Sequence, residues 1–180
     1  METKTEIAVL GGGCFWCTEA IYKQLRGVIA VTSGYSDGDL ENPSYEQVSG
    51  GSTGHAEVIR IEYDPTQISF IDILEVFFAV HDPTTMNRQG NDEGPQYRSI
   101  ILYANDEQKQ AVENFIEKLK SDKIYDQPIV TEVKPLQKFY EAEAYHQNYL
   151  ENNPNQPYCQ LVVNPKVKKF KEKFASLLKL

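Results

Sequence analysis

Apolar residues recur along this chain in two rhythms, period-two or continuous runs that mark strands and i, i+3, i+4 repeats that mark helices. Ile7 to Leu10 is a short apolar run, and Cys14 to Leu25 follows with helical spacing, Ile21 and Leu25 facing inward. Val28 to Tyr35 is rich in β-branched residues and predicts a strand. Glu57 to Tyr63 alternates, with Ile59, Ile61 and Tyr63 on one face and Arg60 and Glu62 on the other. Ser69, with Asp72 three residues on, starts a helix whose Phe70, Ile73, Leu74, Phe77 and Phe78 form a wide apolar stripe. Arg98 to Tyr103 predicts a strand. Asn105 to Leu119 predicts a helix with Ala111, Val112, Phe115, Ile116 and Leu119 inward, and Ile129 to Val133 an edge strand. A tyrosine-rich helix over about Ala142 to Leu150, a turn-rich loop from Asn152 to Tyr158 and a final helix complete the series. Two long polar loops, Ser36–His55 and Asp82–Gln96, interrupt it.

The core order β-α-β-β-α-β predicts an α+β fold, a ferredoxin-like two-layer sandwich with an extra C-terminal helix and loops. No repeat or linker divides residues 1–180, so one domain is expected. Right-handed crossovers keep the first two strands parallel, and the Ser36–His55 connection reverses the third. Cys14, Tyr35, Glu57 and Tyr97 are then expected to meet at one end of the sheet.

A formal charge of −8 argues against binding a phosphate backbone. The one basic run, Lys166, Lys168, Lys169, Lys171 and Lys173, alternates with Val167, Phe170, Phe174, Leu177 and Leu178 at helical spacing, so it is read as a solvated helix face. No apolar stretch has the length of a membrane span, and Met1-Glu-Thr-Lys-Thr-Glu6 lacks the pattern of a secretory leader. A cytoplasmic protein, monomeric and without membrane or nucleic-acid partners, is expected. Three cysteines in a reducing compartment do not form a structural disulfide framework.

The chemistry concentrates in Gly11-Gly-Gly-Cys-Phe-Trp-Cys17. A cysteine at a helix start faces unpaired N–H groups and the positive end of the macrodipole, which favour the thiolate. Cys14 is therefore the candidate nucleophile, although a free cysteine also commonly just fills a core. Cys17 completes a Cys-x-x-Cys spacing shared by redox and zinc sites, but no second such pair supplies the remaining zinc ligands, so no metal is expected. Phe15 and Trp16 are either core or an apolar wall suited to a thioether methyl. By period two Glu57 points to the apolar side, where burial raises a carboxyl pKa and makes it a proton donor; a strand-end glutamate turned to water is the alternative. Tyr35 and Tyr97 are weaker signals among eleven tyrosines, and Asp92 orients a neighbour or serves a turn.

These residues, in this order, resemble the A-type peptide methionine sulfoxide reductases. The resemblance rests on Gly13-Cys-Phe-Trp16, Gly34-Tyr35, Thr53-Gly-His-Ala-Glu57, Gln89-Gly-Asn-Asp92, Gln96-Tyr-Arg-Ser99 and Phe139-Tyr-x-Ala-Glu143 with Tyr145-His146-Gln147. It implies reduction of the S-epimer of methionine sulfoxide, free or in proteins, thioredoxin as reductant and no cofactor. Cys14 would be the nucleophile and Glu57 the acid. Tyr35 and Tyr97 would bind the sulfoxide oxygen, Phe15 and Trp16 the methyl, and Asp92 and His146 would shape the site. Cys17 stands where many members carry glycine, and Ser49 where a further cysteine is common. Helical spacing sets the Cα atoms of Cys14 and Cys17 about 5–5.5 Å apart, within disulfide range. Cys17 is accordingly expected to resolve the sulfenic acid first, with Cys159 swinging in on its loop and taking over by exchange. A different thiol oxidoreductase or peroxidase, or a zinc- or peptide-binding module, is the competing reading.

Overall fold

The computed structural model describes residues 4–180; Met1 to Thr3, part of the segment read above as carrying no leader, lie outside the described residues. In chain order the elements are β1 (Glu6–Gly12), α1 (Phe15–Tyr22), β2 (Val28–Ser36), α2 (Tyr45–Ser49), β3 (Ala56–Tyr63) and α3 (Phe70–Val80). The two-residue strands β4 (Arg88–Gln89) and β5 (Asp92–Glu93) come next, then β6 (Ser99–Tyr103) and α4 (Asp106–Ser121). β7 (Glu132–Pro135), β8 (Phe139–Glu141), α5 (Tyr149–Asn152) and α6 (Asn164–Lys173) complete the chain.

The fold is mixed α+β, built on a six-stranded sheet in the order β7-β6-β1-β3-β2-β8. β3 lies between β1 and β2 and runs antiparallel to both, so those two strands are parallel, as the crossover argument requires. β6 is antiparallel to β1 and parallel to β7. One sheet face buries Leu10, Ile59, Ile61 and Ile101 against Ile21 and Tyr22 of α1 and Ile73, Leu74 and Phe77 of α3. The Tyr22 hydroxyl donates to the Ile73 carbonyl at 2.8 Å, tying the two helices together within that layer. The other face buries Val9, Val58, Ile100 and Leu102 under Leu136 and Phe139. β3 is therefore covered on both sides, and a strict inside–outside alternation describes only half of it.

Several expectations shift in detail. α1 ends at Tyr22 instead of Leu25, because Leu25 turns to bridge the C-terminal Leu178. The polar loop after β2 holds a short helix, α2, started by a capping box in which Ser44 and Gln47 bond each other's backbone N–H. The edge strand lies at Glu132–Pro135, three residues beyond the start expected for it. The tyrosine-rich stretch is not one helix from Ala142 to Leu150. After β8 it holds a 3-10 turn at Ala144–His146 and the start of α5, separated where Asn148 takes a left-handed conformation with φ 55°. Buried Glu19 fixes that break by accepting the Asn148 N–H at 2.6 Å. Arg98 braces the loops at the sheet end, pairing with Asp37 at 2.9 Å and Glu132 at 3.2 Å and donating to the Gly54 carbonyl at 3.0 Å.

Gly11 lies on β1 beside the start of β3, and a Cβ there would sit 2.6 Å from the Glu57 carbonyl oxygen. Gly11→Ala is expected to cost about 1–3 kcal/mol as the two strands are pushed apart. Urea unfolding at constant m-value reads the loss; a midpoint equal to that of the parent protein would contradict the close approach.

Candidate active site

β1 ends in a glycine turn. Gly13 has φ +99°, and a Cβ on it would lie 2.7 Å from Gln89 Cγ, so both conformation and space require glycine. Gln89 is itself fixed, accepting from Asp82 N and donating to the Asp82 carbonyl, each at 2.9 Å. The turn sets Cys14 at the N-cap of α1 in an extended conformation, with no side-chain capping bond. The thiolate preference expected at this position does not hold. Burial pushes the Cys14 thiol well above its ordinary range, and a hydrogen bond to Cys17 and the negative charge of Glu57 push the same way. The end of a helix offers only about half a charge, which does not outweigh the desolvation of an ion this deep. Cys17 goes the other way: the hydrogen bond from Cys14 lowers it most, and Lys166 and the Tyr158 hydroxyl add to that against burial. The two buried thiols are thus shifted in opposite directions, and Cys14 is the one that holds its proton more tightly.

Glu57 opens β3 directly across the ladder from Tyr35 of β2. It is 2 % exposed, and its Oε1 accepts the Phe15 N–H at 3.1 Å. Its carboxyl therefore touches the first turn of the helix that begins after Cys14. Burial raises its pKa to about 8, while the Phe15 bond opposes and the charges of Asp92 and Cys17 reinforce. No cation is among the groups that shift it. Glu57 is thus mostly a neutral acid at pH 7.

Two phenols flank this acid. The Tyr35 hydroxyl donates to Glu143 Oε1 at 2.9 Å, and burial, then that bond, raises its pKa far above the ordinary phenol value. Tyr97 closes the 3-10 turn Pro95–Tyr97; burial, then the charges of Glu57 and Cys14, raises its pKa, which locates it with that pair. Phe15 packs against Tyr35 at 5.7 Å and His146 at 5.1 Å between ring centroids. The Trp16 indole N–H donates to His146 Nδ1 at 3.0 Å, so the neutral imidazole carries its proton on Nε2. Burial lowers the His146 pKa and keeps it neutral. That Nε2 is buried and has no hydrogen-bond partner among the described residues. Trp16 also stacks face to face on Tyr149, with centroids 3.6 Å apart, and meets Tyr158 edge-on.

The structure brings Cys14, Cys17, Phe15, Trp16, Tyr35, Glu57, Tyr97 and His146 into one place. Asp92 joins them through Tyr158, whose hydroxyl donates to Asp92 Oδ2 at 2.7 Å. Cys159 does not ride on a swinging loop. It is fully buried in a π-helical turn, Cys159–Val163, that runs without a break into α6. Sequence reasoning passed over Glu143, which accepts from Tyr35, from the Tyr45 backbone N–H at 3.0 Å and from the Tyr145 hydroxyl at 3.3 Å. Its place in Phe139-Tyr-x-Ala-Glu143 was the available signal. Tyr149 and Tyr158 carried no signal, being two tyrosines among eleven. Among the described residues, no group of three or more His, Cys, Asp or Glu side chains is placed to hold a metal ion.

Glu57 has a stability consequence with a definite sign. Its pKa rises from 4.5 to about 8 on folding, so its favourable contribution is complete below about pH 4.5 and is lost as pH climbs through about 8. Glu57→Gln, which never ionises, is expected to gain stability over the parent progressively across that window, by a few kcal/mol (~2–4) at its top. Urea titrations at pH 5 and pH 9 check this, and an equal difference at both pH values would contradict the raised pKa.

The sequence model of a family described as peptide methionine sulfoxide reductase matches residues 6–178. A protein of Saccharolobus solfataricus named peptide methionine sulfoxide reductase MsrA is 54% identical over 175 residues, spanning 97% of this chain and 98% of its own. The crystal structure of Mxr1 from Saccharomyces cerevisiae in reduced form superposes with a TM-score of 0.76 at 36% identity, covering 88% of this chain and 91% of Mxr1. Mxr1 in complex with Trx2 superposes with a TM-score of 0.53 at 26% identity, covering 83% of this chain and 87% of that one.

Proposed function

Because the chain belongs to the peptide methionine sulfoxide reductase family, we propose that it reduces the S-epimer of methionine sulfoxide, free or in oxidised proteins, through a sulfenic acid on Cys14. The observation that carries the reading is the buried Glu57 carboxyl, protonated near neutrality and bonded to the helix start that bears Cys14. A sulfoxide sulfur becomes electrophilic once its oxygen is protonated. Glu57 supplies that proton, and the Tyr35 and Tyr97 hydroxyls hold the oxygen while the charge changes. The Cys14 sulfur attacks the substrate sulfur as its own proton passes to the Glu57 carboxylate. The S–O bond breaks, the hydroxyl ends on Cys14, and the thioether leaves. One thiol and one sulfoxide become one sulfenic acid and one thioether, and Glu57 is protonated again.

Phe15 and Trp16 form the apolar wall for the methyl group, with His146 and Asp92 shaping the site. Condensation of the Cys14 sulfenic acid with the Cys17 thiol forms a disulfide and releases water. Exchange with Cys159 follows, and a thioredoxin restores the thiols, a reading supported by the relative solved with Trx2. Residues 1–180 act as one domain, and the β1-α1-β2-β3-α3-β6 core is read as ferredoxin-like. A cytoplasmic monomer fits the reaction; among the described residues no helix is long and apolar enough to cross a membrane.

Incubation with each methionine sulfoxide epimer and dithiothreitol, following free methionine, tests the function. Turnover of the S-epimer alone is expected, and equal turnover of both, or of neither, would overturn the assignment. Cys14→Ser is expected to abolish turnover, and retention of a tenth or so of the activity would remove Cys14 from the mechanism. Glu57→Gln is expected to slow single-turnover methionine release by about 10²–10⁴-fold. The parent rate should fall as pH rises through about 8. A Glu57→Gln rate equal to the parent's would assign the proton elsewhere.

A further inference from the structure

Tyr158 lies outside the set of residues to which the chemistry above gives a role, yet it connects three parts of the site. Its hydroxyl donates to Asp92 Oδ2 at 2.7 Å, and the same oxygen lies 3.9 Å from Cys17 Sγ, within sulfur hydrogen-bonding distance. Asp92 is on a β4–β5 hairpin held through Gln89, the residue against which the Gly13 turn packs. Cys17 is on α1, and the ring edge of Tyr158 meets Trp16. The next residue in the chain is Cys159.

The backbone there has an alternative available. Tyr158 is helical, with φ −61° and ψ −42°, and Cys159–Val163 is wound as a π-helix before α6 continues as an ordinary α-helix. A π-turn holds more residues than the α-turn it replaces, so relaxing one residue of it swings everything on its N-terminal side by about 100° around the axis. Cys159 and Tyr158 are on that side. Before them comes an exposed polar stretch, Glu151 to Pro157, in which only Asn153 is partly covered, so little packing resists the rotation.

We propose that Tyr158 is a positioning residue that sets the order in which the two resolving cysteines act. Bonded to Asp92 and lying against the Cys17 sulfur, it holds the π-turn closed and keeps Cys159 shut in while Cys17 is a free thiol. Tyr158 gives its one hydroxyl hydrogen to Asp92, so Cys17 is the donor in the sulfur contact; when Cys17 bonds to Cys14, its sulfur loses that hydrogen and moves toward its partner. Tyr158 keeps one polar contact of two, and the turn opens. Cys159 then attacks the Cys17 sulfur, forming a Cys17–Cys159 bond and breaking Cys14–Cys17. Cys14 leaves as a thiolate and takes up the proton Cys159 gives up, and the number of disulfides stays at one. The sequence of events prevents Cys159 from intercepting the Cys14 sulfenic acid, and it returns the nucleophile before any external reductant arrives.

This inference rests on the reductase reading for its purpose but not for its test. Amide hydrogen exchange of the full-length protein carrying Cys159→Ser, the parent for this comparison, is followed on a peptide spanning residues 153–163 in the reduced state and after oxidation with diamide, which makes the Cys14–Cys17 disulfide without a sulfoxide and leaves it with no third thiol to pass to. Exchange about two- to threefold faster in the oxidised protein is expected, the scale set by losing the weaker of the two polar contacts. In Tyr158→Phe the reduced state should already exchange fast, so the redox difference disappears. Asp92→Ala removes the acceptor of the same bond from the hairpin side and should do likewise, which keeps the test decisive if Tyr158→Phe fails to fold. A substitution that merely loosens the helix speeds both states and preserves the difference. Equal exchange in the two states of the parent protein, or a redox difference that survives in the variants, would overturn the latch. Failure of sulfoxide turnover with a redox-dependent turn would instead overturn the reductase reading alone.

Discussion

The Glu57 carboxyl is buried at the one place where β3, β2 and the start of α1 converge, and its single backbone partner is the Phe15 N–H. An ordinary helix start leaves its first N–H groups to water or a capping side chain. Here Cys14 provides no cap, and the carboxyl of a residue 42 positions away from Phe15 fills the role. Burial and this bond pull in opposite directions, the first favouring the neutral acid and the second the anion. Burial wins, and a pKa of about 8 follows. The rest of the site is arranged around that outcome. Gly11 and Gly13 let the backbone pass close enough for the contact, and Tyr35 and Tyr97 stay neutral donors beside a neutral acid. The thiol opposite keeps its proton because burial makes its anion costly.

That last point reverses a familiar argument. A helix N-terminus activates cysteines when the sulfur stays hydrated, since a partial charge then acts on an ion already solvated. Cys14 is nearly as buried as Glu57, and the desolvation of its anion exceeds what the dipole returns. In the proposed reaction activation comes with the substrate: protonating the sulfoxide oxygen turns Glu57 into the base that the thiol needs. Proton donor and proton acceptor are then one group used twice, and the thiolate exists only while an electrophile is present. A buried nucleophile of this kind is protected from adventitious oxidants, a useful property in an enzyme whose substrates are oxidation products.

Much of the scaffold was legible because it is written in periodicity. The stripes of α3 and α4 and the alternation of Ile59, Ile61 and Tyr63 identify elements, and the strand directions follow from crossover handedness. The burial of Glu57 followed from its parity with those three residues. The C-terminal third was less legible. Val58 is buried as well as Ile59 because residues 136–139 cover the second face, an event no pattern within β3 announces. The stretch around Tyr145 carries helical spacing, yet Glu19, more than a hundred residues away, breaks it at Asn148. Cys159 follows a run of turn-forming residues, which suggested a mobile loop; packing of Val163, Val167 and Phe170 into the core instead draws it into a helix. Local sequence governs where local bonds decide the structure, and it gives way where long-range burial does.

A neutral Glu57 carboxyl in the resting protein underlies the proposed chemistry, and infrared difference spectroscopy observes that group directly. Subtracting the Glu57→Gln spectrum from the parent's at successive pH values isolates the carbonyl stretch of the protonated acid. That band is expected to persist at pH 7 and to give way to carboxylate bands with a midpoint near pH 8. A midpoint between pH 4 and 5, where an exposed glutamate titrates, would contradict the account.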